Sequence, residues 1–420
     1  MSGPNGESPA GPRSCRFCGA ALGEPFLDLG RQPLANAYLT AADLERVEPF
    51  YPLRASVCER CALVQVDEVV PAEALFADYA YFSSYSDSWL RHSQAYAEMI
   101  IPRLGLNERS RVLEVGSNDG YLLQYFVRRG VPVLGIEPAA NVAAAAAARQ
   151  VDTRVAFFGE ETARQLAREG TQADLLIGNN VLAQVPDLNG FVRGMKIVLR
   201  PLGVITLEVP HLLRLIAENQ FDTIYHEHFS YFSLTTLEAI LNAHGLAVFD
   251  VEELDTHGGS LRIYASHAGA RPPAGGARVA ALRAREQGAG LHRLDGYLAF
   301  GRGVQQSKAR IVEFVRSARR DGRRIAGYGA PAKGNTLLNF CGLGAEEIEY
   351  TVDRSPHKQG LFLPGTHIPI YPPGKVDETR PDYLLILPWN LRAEIIEQMA
   401  RIRQWGGRFV LPIPEVAVVP

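Results

Sequence analysis

The sequence predicts an α/β protein in three parts: a small four-cysteine unit, a doubly wound sheet domain, and a second α/β domain at the C-terminus. Three observations predict it. Two Cys-x-x-Cys pairs, Cys15/Cys18 and Cys58/Cys61, stand close to the start of the chain. From "RVLEVGSNDGYLLQYFVRRG" onward, short apolar runs alternate with helical stretches, the pattern of a parallel sheet covered by helices. The same strand, glycine-rich turn and helix then restart at "RRIAGYGAPAKGNTLLNF". The expected divisions are 1–75, 76–270 and 271–420.

A chain of 420 residues suits two or three domains. Hydrophobic residues at 47% and charged residues at 21% are enough for a sizeable core. A net charge of −3 lacks the basic footprint of a nucleic-acid binder. No run of about 20 apolar residues is present to cross a membrane. The opening "MSGPNGESPAGPRS" lacks the apolar stretch of a signal peptide and reads as a short disordered tail. The expectation is a cytoplasmic monomer with no nucleic-acid or membrane partner.

In a reducing compartment, paired Cys-x-x-Cys reads as a zinc site sooner than as disulfides. Cys15, Cys18, Cys58 and Cys61 supply the four thiolates of a closed, structural site. The 39 residues between the pairs make a longer spacing than usual. Cys341 stands alone and reads as a small core residue.

After "VCERCALVQV", which is strand-like, "SYSDSWLRHSQAYAEMIIPRLGL" reads as a helix. Trp89, Ser93, Tyr96, Ile100 and Leu104 recur at helical spacing, and Pro102 falls near the end. A buried strand from Val112 to Val115 then leads into a tight turn, and "VPVLGIEP" is a second strand ending at Glu137. The alanine run that follows is a helix by propensity. "HAGARPPAGGARVAALRAREQGAG" marks the junction to the last part, where "IEYTVDRSPHKQG" ends a strand at Asp353 and "DYLLILPWN" ends one at Trp389 and Asn390.

The turn "LEVGSNDG" does not fit the dinucleotide fingerprint, because Tyr121 stands where its third glycine belongs. An acidic-x-Gly-x-Gly-x-Gly spacing fits better, with Glu114, Gly116 and Gly120 in place and Asn118 for the middle glycine. Asparagine tolerates a left-handed backbone, so the turn survives the exchange. Glu137, at the next strand end, offers two acceptors to ribose hydroxyls. The combination is similar to the S-adenosylmethionine (SAM) site of Rossmann-like methyltransferases, with Ser117 and Asn179 as further candidate contacts. A dehydrogenase or an empty fold is the alternative.

In "GYGAPAKGNT" the P-loop pattern is absent, yet small residues, Lys333 and a helix start suit a diphosphate, with the amides near Gly334 and Asn335 as donors. The alternative is a solvated lysine. "FDTIYHEHFSYFSL" places Tyr225, His226, Glu227 and His228 among aromatic residues. In an extended backbone His226 and His228 would share one side, with Tyr225 and Glu227 on the other; a turn would break that rule and let several converge. Acid/base work, a structural histidine and a metal site are the three readings.

The segments "DYAYFSSYSDSW", "LEVGSNDG", "NNVLAQVPDL", "FDTIYHEHFSYFS", "GGSLRIYA" and "GYGAPAKGNTLLN" occur in this order behind the cysteine pairs. Together they resemble the three-domain sugar C-methyltransferases that act on nucleotide-linked 4-keto-deoxyhexoses, over nearly the whole chain. The resemblance implies a structural zinc domain, a middle SAM domain and a C-terminal domain that anchors a dTDP-linked sugar. It also implies that His228 is the base, with Tyr225, Glu227 and Tyr79 beside it. Gln184 stands where relatives often carry histidine. The implied reaction is SAM-dependent methylation of C3 of a dTDP-4-keto-2,6-dideoxyhexose, with a 3-amino sugar favoured. Methylation at C5, an O- or N-methyltransferase on the same scaffold, and a zinc-ribbon binding protein are the alternatives.

Overall fold

The computed structural model describes residues 13–71, 75, 83–270 and 276–420. Strands β1 (Leu27–Gln32), β2 (Tyr51–Val57) and β3 (Val64–Val66) form an antiparallel sheet next to the cysteine pairs. The predicted aromatic-striped helix spans Asp87–Leu104. Ser86 caps its start by accepting from the Trp89 amide, and Gly105, at φ 66°, closes it in the left-handed conformation that glycine adopts at least cost. Trp89, Ser93, Tyr96 and Ile100 are its buried stripe.

The middle part contributes β4 (Val112–Val115), β5 (Val133–Glu137), β6 (Thr153–Val155), β7 (Ala173–Asn179), β8 (Leu199–Pro210), β9 (Ser230–Tyr231), β10 (Leu246–Leu254) and β11 (Ser260–His267). All but β9 form one seven-stranded sheet in the order β10-β11-β8-β7-β4-β5-β6. β4 to β8 are parallel, as expected, whereas β11 runs antiparallel to β8 and β10, antiparallel to β11, returns to the common direction. The short turn from β10 into β11 is a hairpin-type connection, and only antiparallel strands can be joined that way.

The last part adds β12 (Ile325–Tyr328), β13 (Thr351–Val352), β14 (Ile370–Tyr371), β15 (Tyr383–Ile386), β16 (Arg408–Leu411) and β17 (Ala417–Val419). Their order, β14-β13-β12-β15-β16-β17, is parallel except for β17 and reverses direction between β12 and β15. In such sheets, ligands bind outside the carboxyl ends of the strands at the reversal. β15 stops three residues short of Trp389, which begins a short 3-10 turn.

β9 pairs with β3, Val64 opposite Tyr231 and Gln65 opposite Ser230, and so belongs to the N-terminal sheet. One apolar core runs through all three parts, with Leu53 and Leu29, Phe221 and Ile224, and Leu337 and Trp389 in the same cluster. Cys15, Cys58 and Leu63 pack into a second cluster with β8 and its neighbours. The three parts are thus cemented by buried apolar surface, the dominant favourable term in folding.

Candidate active site and metal centre

Each Cys-x-x-Cys is a tight knuckle. The Gly19 amide donates to the Cys15 carbonyl at 2.9 Å, and the Ala62 amide donates to the Cys58 carbonyl at 2.7 Å. Both need a left-handed residue after the second cysteine: Gly19 has φ 72° and Ala62 φ 59°. The knuckles face each other so that all four sulfurs lie within 4.8 Å, with Cys15–Cys61 and Cys18–Cys58 at 3.5 Å. Zinc–thiolate bonds of about 2.3 Å in a tetrahedron put sulfurs about 3.8 Å apart, so the cluster fits that ion. The hydrogen bond between Cys15 and Cys61 pulls the Cys15 thiol down and pushes Cys61 up.

A cavity of about 1010 Å³ opens between the carboxyl ends of the middle and C-terminal sheets. At its middle-sheet end lie Gly116, Asn118, Glu137 and Asn179. Gly116 (φ 68°), Asn118 (φ 49°) and Gly120 (φ 76°) are all left-handed, so asparagine does stand in for the missing glycine. Glu137 ends β5 and accepts from the amides of Asn118 and Ala139, both at 3.0 Å. Burial raises its pKa against those two bonds. The Asn179 Oδ1 is buried without a hydrogen-bond partner at the cavity wall. An unmet acceptor at the end of β7 and a fixed carboxylate at the end of β5, both on the wall of one cavity, fit the amino and hydroxyl groups of SAM. Glu114, Ser117 and Gly120 shape the turn from behind: Glu114 is fully buried, Ser117 packs on Gly135, and Gly120 meets Val151 and Ala146.

The segment around His228 is a turn that runs directly into β9. It splits the four titratable residues differently from an extended chain. His226 turns back to the N-terminal sheet, its Nε2 at 3.2 Å from the Pro52 carbonyl and its ring edge-on to Tyr51. Glu227 is buried and accepts from Asn36 Nδ2 at 3.2 Å; burial raises its pKa. Tyr225 and His228 face the cavity, with the Tyr225 hydroxyl 2.8 Å from His228 Nε2 and the rings 4.1 Å apart. Burial drives His228 down to about 3, against the nearby Thr223 carbonyl and helped by the charge of Lys333, so its imidazole is neutral. Tyr79 lies outside the described residues.

At the C-terminal end the cavity is lined by Gly329, Pro331, Lys333, Asp353, Arg354 and Lys358. Gly329 has φ 89°, and a Cβ there would sit 2.5 Å from Pro388, so only glycine fits. Lys333 donates to Asn390 Oδ1 at 2.9 Å and lies 4.6 Å above the Trp389 ring, and burial lowers its pKa. Gly334 and Asn335 lie deeper. The Asn335 amide is spent on the Pro331 carbonyl and its side chain on the Ala35 carbonyl at 2.6 Å, so Asn335 anchors the helix Ala332–Cys341 instead of offering a donor to the cavity. Gly334 packs on Leu387, where a Cβ would come within 2.9 Å.

Several cavity residues had no sequence signal. His257 lines the cavity in a left-handed backbone (φ 56°), 4.7 Å from the Trp89 ring. Trp89 is stacked from another side by His92 at 4.9 Å, and His92 Nε2 meets the Glu208 carboxylate at 3.0 Å. Glu208 is held anionic, despite full burial, by His92 and by Arg262 at 2.6 Å. The helical stripe correctly makes Trp89 a core residue, but periodicity is blind to what a core residue's edge faces.

A parallel sheet with a left-handed turn and a carboxylate after its first two central strands, joined to a four-cysteine unit, defines a zinc-containing, SAM-dependent methyltransferase. A methyltransferase domain family matches residues 89–251, a zinc binding domain family residues 15–76, and a C-methyltransferase C-terminal domain family residues 255–414. The chain is 39% identical to the C-methyltransferase NovU of Streptomyces niveus over 409 residues, 96% of each chain. A ubiquinone biosynthesis O-methyltransferase of Azorhizobium caulinodans is 29% identical over 120 residues, 28% of this chain and 46% of its own. Among solved structures, the magnesium protoporphyrin IX methyltransferase ChlM of Synechocystis PCC 6803 shares 14% identity over 43% of this chain and 82% of its own, at TM-score 0.33. The chain belongs to the C-methyltransferase family that includes NovU and is a SAM-dependent C-methyltransferase. No helix among the described residues is long and apolar enough to cross a membrane.

Proposed function

We propose that the protein methylates C3 of a dTDP-linked 4-keto-2,6-dideoxyhexose, a 3-amino sugar by preference, with His228 as the carbon base. The observation that carries this is the split at the turn. Of two histidines two residues apart, His226 is occupied by the Pro52 carbonyl, while neutral His228 faces the cavity beside Tyr225. A 4-keto group acidifies C3–H because the resulting carbanion delocalises into an enolate. Removing that proton needs a neutral base in a dry site, and a buried imidazole supplies it. Tyr225 orients the His228 ring and is a candidate donor to the ketone oxygen, as is Tyr79; Glu227 holds the turn against Asn36.

Glu137, Asn179 and the Gly116–Asn118 turn would hold SAM, which supplies an electrophilic methyl when bound. The sugar nucleotide would lie across the carboxyl ends of β12, β13 and β15, as ligands do at such reversals. Aligning carbon, methyl and sulfur while excluding water is the main task of the walls. The test is His228→Asn against His226→Asn, scored by mass spectrometry with SAM and a dTDP-4-keto sugar. His228→Asn should bind both ligands yet lose methyl transfer by about 10²–10⁴-fold. His226→Asn should lose stability more than turnover. The reverse ranking would move the base two residues back, and product NMR showing O–CH₃ or N–CH₃ would refute carbon methylation.

A further inference from the structure

We infer that His257 binds the amino or hydroxyl group on C3 of the sugar through its Nε2, and so selects the acceptor and seats its reacting carbon. The inference rests on the carbon-acid reading above and deepens it in the same cavity.

His257 is held in an unusual backbone. It has φ 56° and is followed by Gly258 at φ 92° and Gly259 at φ 122°, three left-handed residues in succession between β10 and β11. A left-handed residue other than glycine is uncommon, and such outliers gather where a side chain must be aimed. The loop is pinned from two directions. Gln220 Nε2 donates to the Gly258 carbonyl at 2.7 Å, and the His211 amide donates to the Gly259 carbonyl at 3.0 Å. A Cβ on Gly258 would come within 2.5 Å of Trp389, and one on Gly259 within 2.6 Å of Arg214. The imidazole so placed lies 4.7 Å from the Trp89 ring and lines the cavity, where its Nε2 is buried with no hydrogen-bond partner. A buried polar atom left unmet is costly, and a hydrogen-bonding group on a ligand removes that cost.

Position decides which ligand. Across the carboxyl edge of the middle sheet the strands β5, β4, β7, β8 and β11 follow in order. Four strand spacings, roughly 19 Å, therefore separate the strand that Glu137 ends from the strand that His257 precedes. Glu137, the turn after β4 and Asn179 at the end of β7 form the proposed SAM cradle, and His257 stands two strands beyond it. On its other side the loop abuts Trp389, whose ring carries Lys333 at 4.6 Å. Trp389 follows β15 at the reversal of the C-terminal sheet, where the nucleotide would lie. A group set between the SAM cradle and the nucleotide end meets the sugar. There the ketone oxygen has Tyr225 as its candidate donor, and the C3 proton has His228. The polar group left on the reacting carbon is its substituent. A neutral imidazole carries one donor and one acceptor nitrogen, which suits an amine or a hydroxyl. Burial keeps His257 neutral, with its pKa lowered to about 4.

The test pairs the residue with the substituent. Full-length, zinc-loaded wild type, His257→Phe and His257→Gln are each given SAM and two dTDP-4-keto sugars, one with an amino group on C3 and one with hydrogen in its place. Phenylalanine keeps a ring against Trp89 and removes the nitrogen; glutamine restores a hydrogen-bonding amide. Wild-type kcat/KM should favour the 3-amino sugar by about 10- to 100-fold. In His257→Phe the preference should shrink to about threefold or less, through loss on the 3-amino sugar alone, and His257→Gln should recover about half of it on a logarithmic scale. SAM affinity by calorimetry should stay within about threefold in both variants. Equal losses on the two sugars, or a loss that sits in SAM affinity, would make His257 a structural or cofactor residue and overturn the inference. A wild type indifferent to the C3 substituent overturns it whatever the variants do. A wild type that methylates no dTDP-4-keto sugar overturns the substrate reading, and this inference with it.

Discussion

His211 precedes the helix Leu212–Ala217 with both ring nitrogens buried and without hydrogen-bond partners, 3.7 Å from Glu253. Burial lowers its pKa to about 4 against the attraction of Glu253. Between that value and the ordinary imidazole range, the unfolded chain binds a proton that the folded one refuses. Its contribution is therefore fully present above about pH 6.5 and is lost as pH falls toward 4. His211→Gln should flatten the acid side of the stability–pH profile by up to about 1.4 kcal/mol per pH unit relative to the wild type, read by denaturant unfolding. The same displacement acts on function at His228. The acid limb of kcat/KM should lie well below the ordinary imidazole range, leaving the rate flat from about pH 7.5 to 5.5. A limb near 6.5 would mean that the base is wet.

Elements respond through their backbones. The two knuckles perform one job with different residues, Gly19 in open space and Ala62 at φ 59°. Gly19→Ala should cost about 1 kcal/mol, and Ala62→Gly should cost less or gain slightly, because only the second relieves a left-handed alanine. Thermal melting of the zinc-loaded protein compares them. At β5, Glu137 both closes the turn through the Asn118 amide and presents its carboxylate to the cavity. Glu137→Gln should weaken SAM by about tenfold or more, the worth of charged hydrogen bonds, and leave dTDP affinity nearly unchanged. Equal loss of both ligands would place SAM elsewhere.

Across the whole molecule, the N-terminal sheet does more than hold metal. β3 registers β9, and the Phe229 carbonyl, between His228 and β9, accepts from the Val66 amide at 3.1 Å. Pro52 and Asn36 take His226 and Glu227. Stripping zinc with a chelator, or Cys61→Ser, should therefore abolish methyl transfer in proportion to metal lost, while SAM affinity falls later because the Gly116 turn lies in the other sheet. Metal analysis finding no zinc in fresh protein, or full activity without it, would disconnect the two. The non-contiguity matters for folding as well, since β3 and β9 are separated by most of the methyltransferase sequence and such pairings form slowly.

Much of this architecture is legible locally. The Val112–Val115 strand, the asparagine-bearing turn, the Glu137 strand end and the four knuckle cysteines follow from periodicity, glycine placement and thiol spacing, which are properties of a few adjacent residues. The antiparallel end of the middle sheet, the division of labour between His226 and His228, and the gathering of Lys333, Trp389, Asp222 and His257 at one wall are not. They depend on which distant backbone carbonyl or ring each side chain meets. A histidine beside the Pro52 carbonyl and a histidine beside an open cavity read alike in one dimension, and only burial against different neighbours makes one a brace and the other a neutral base.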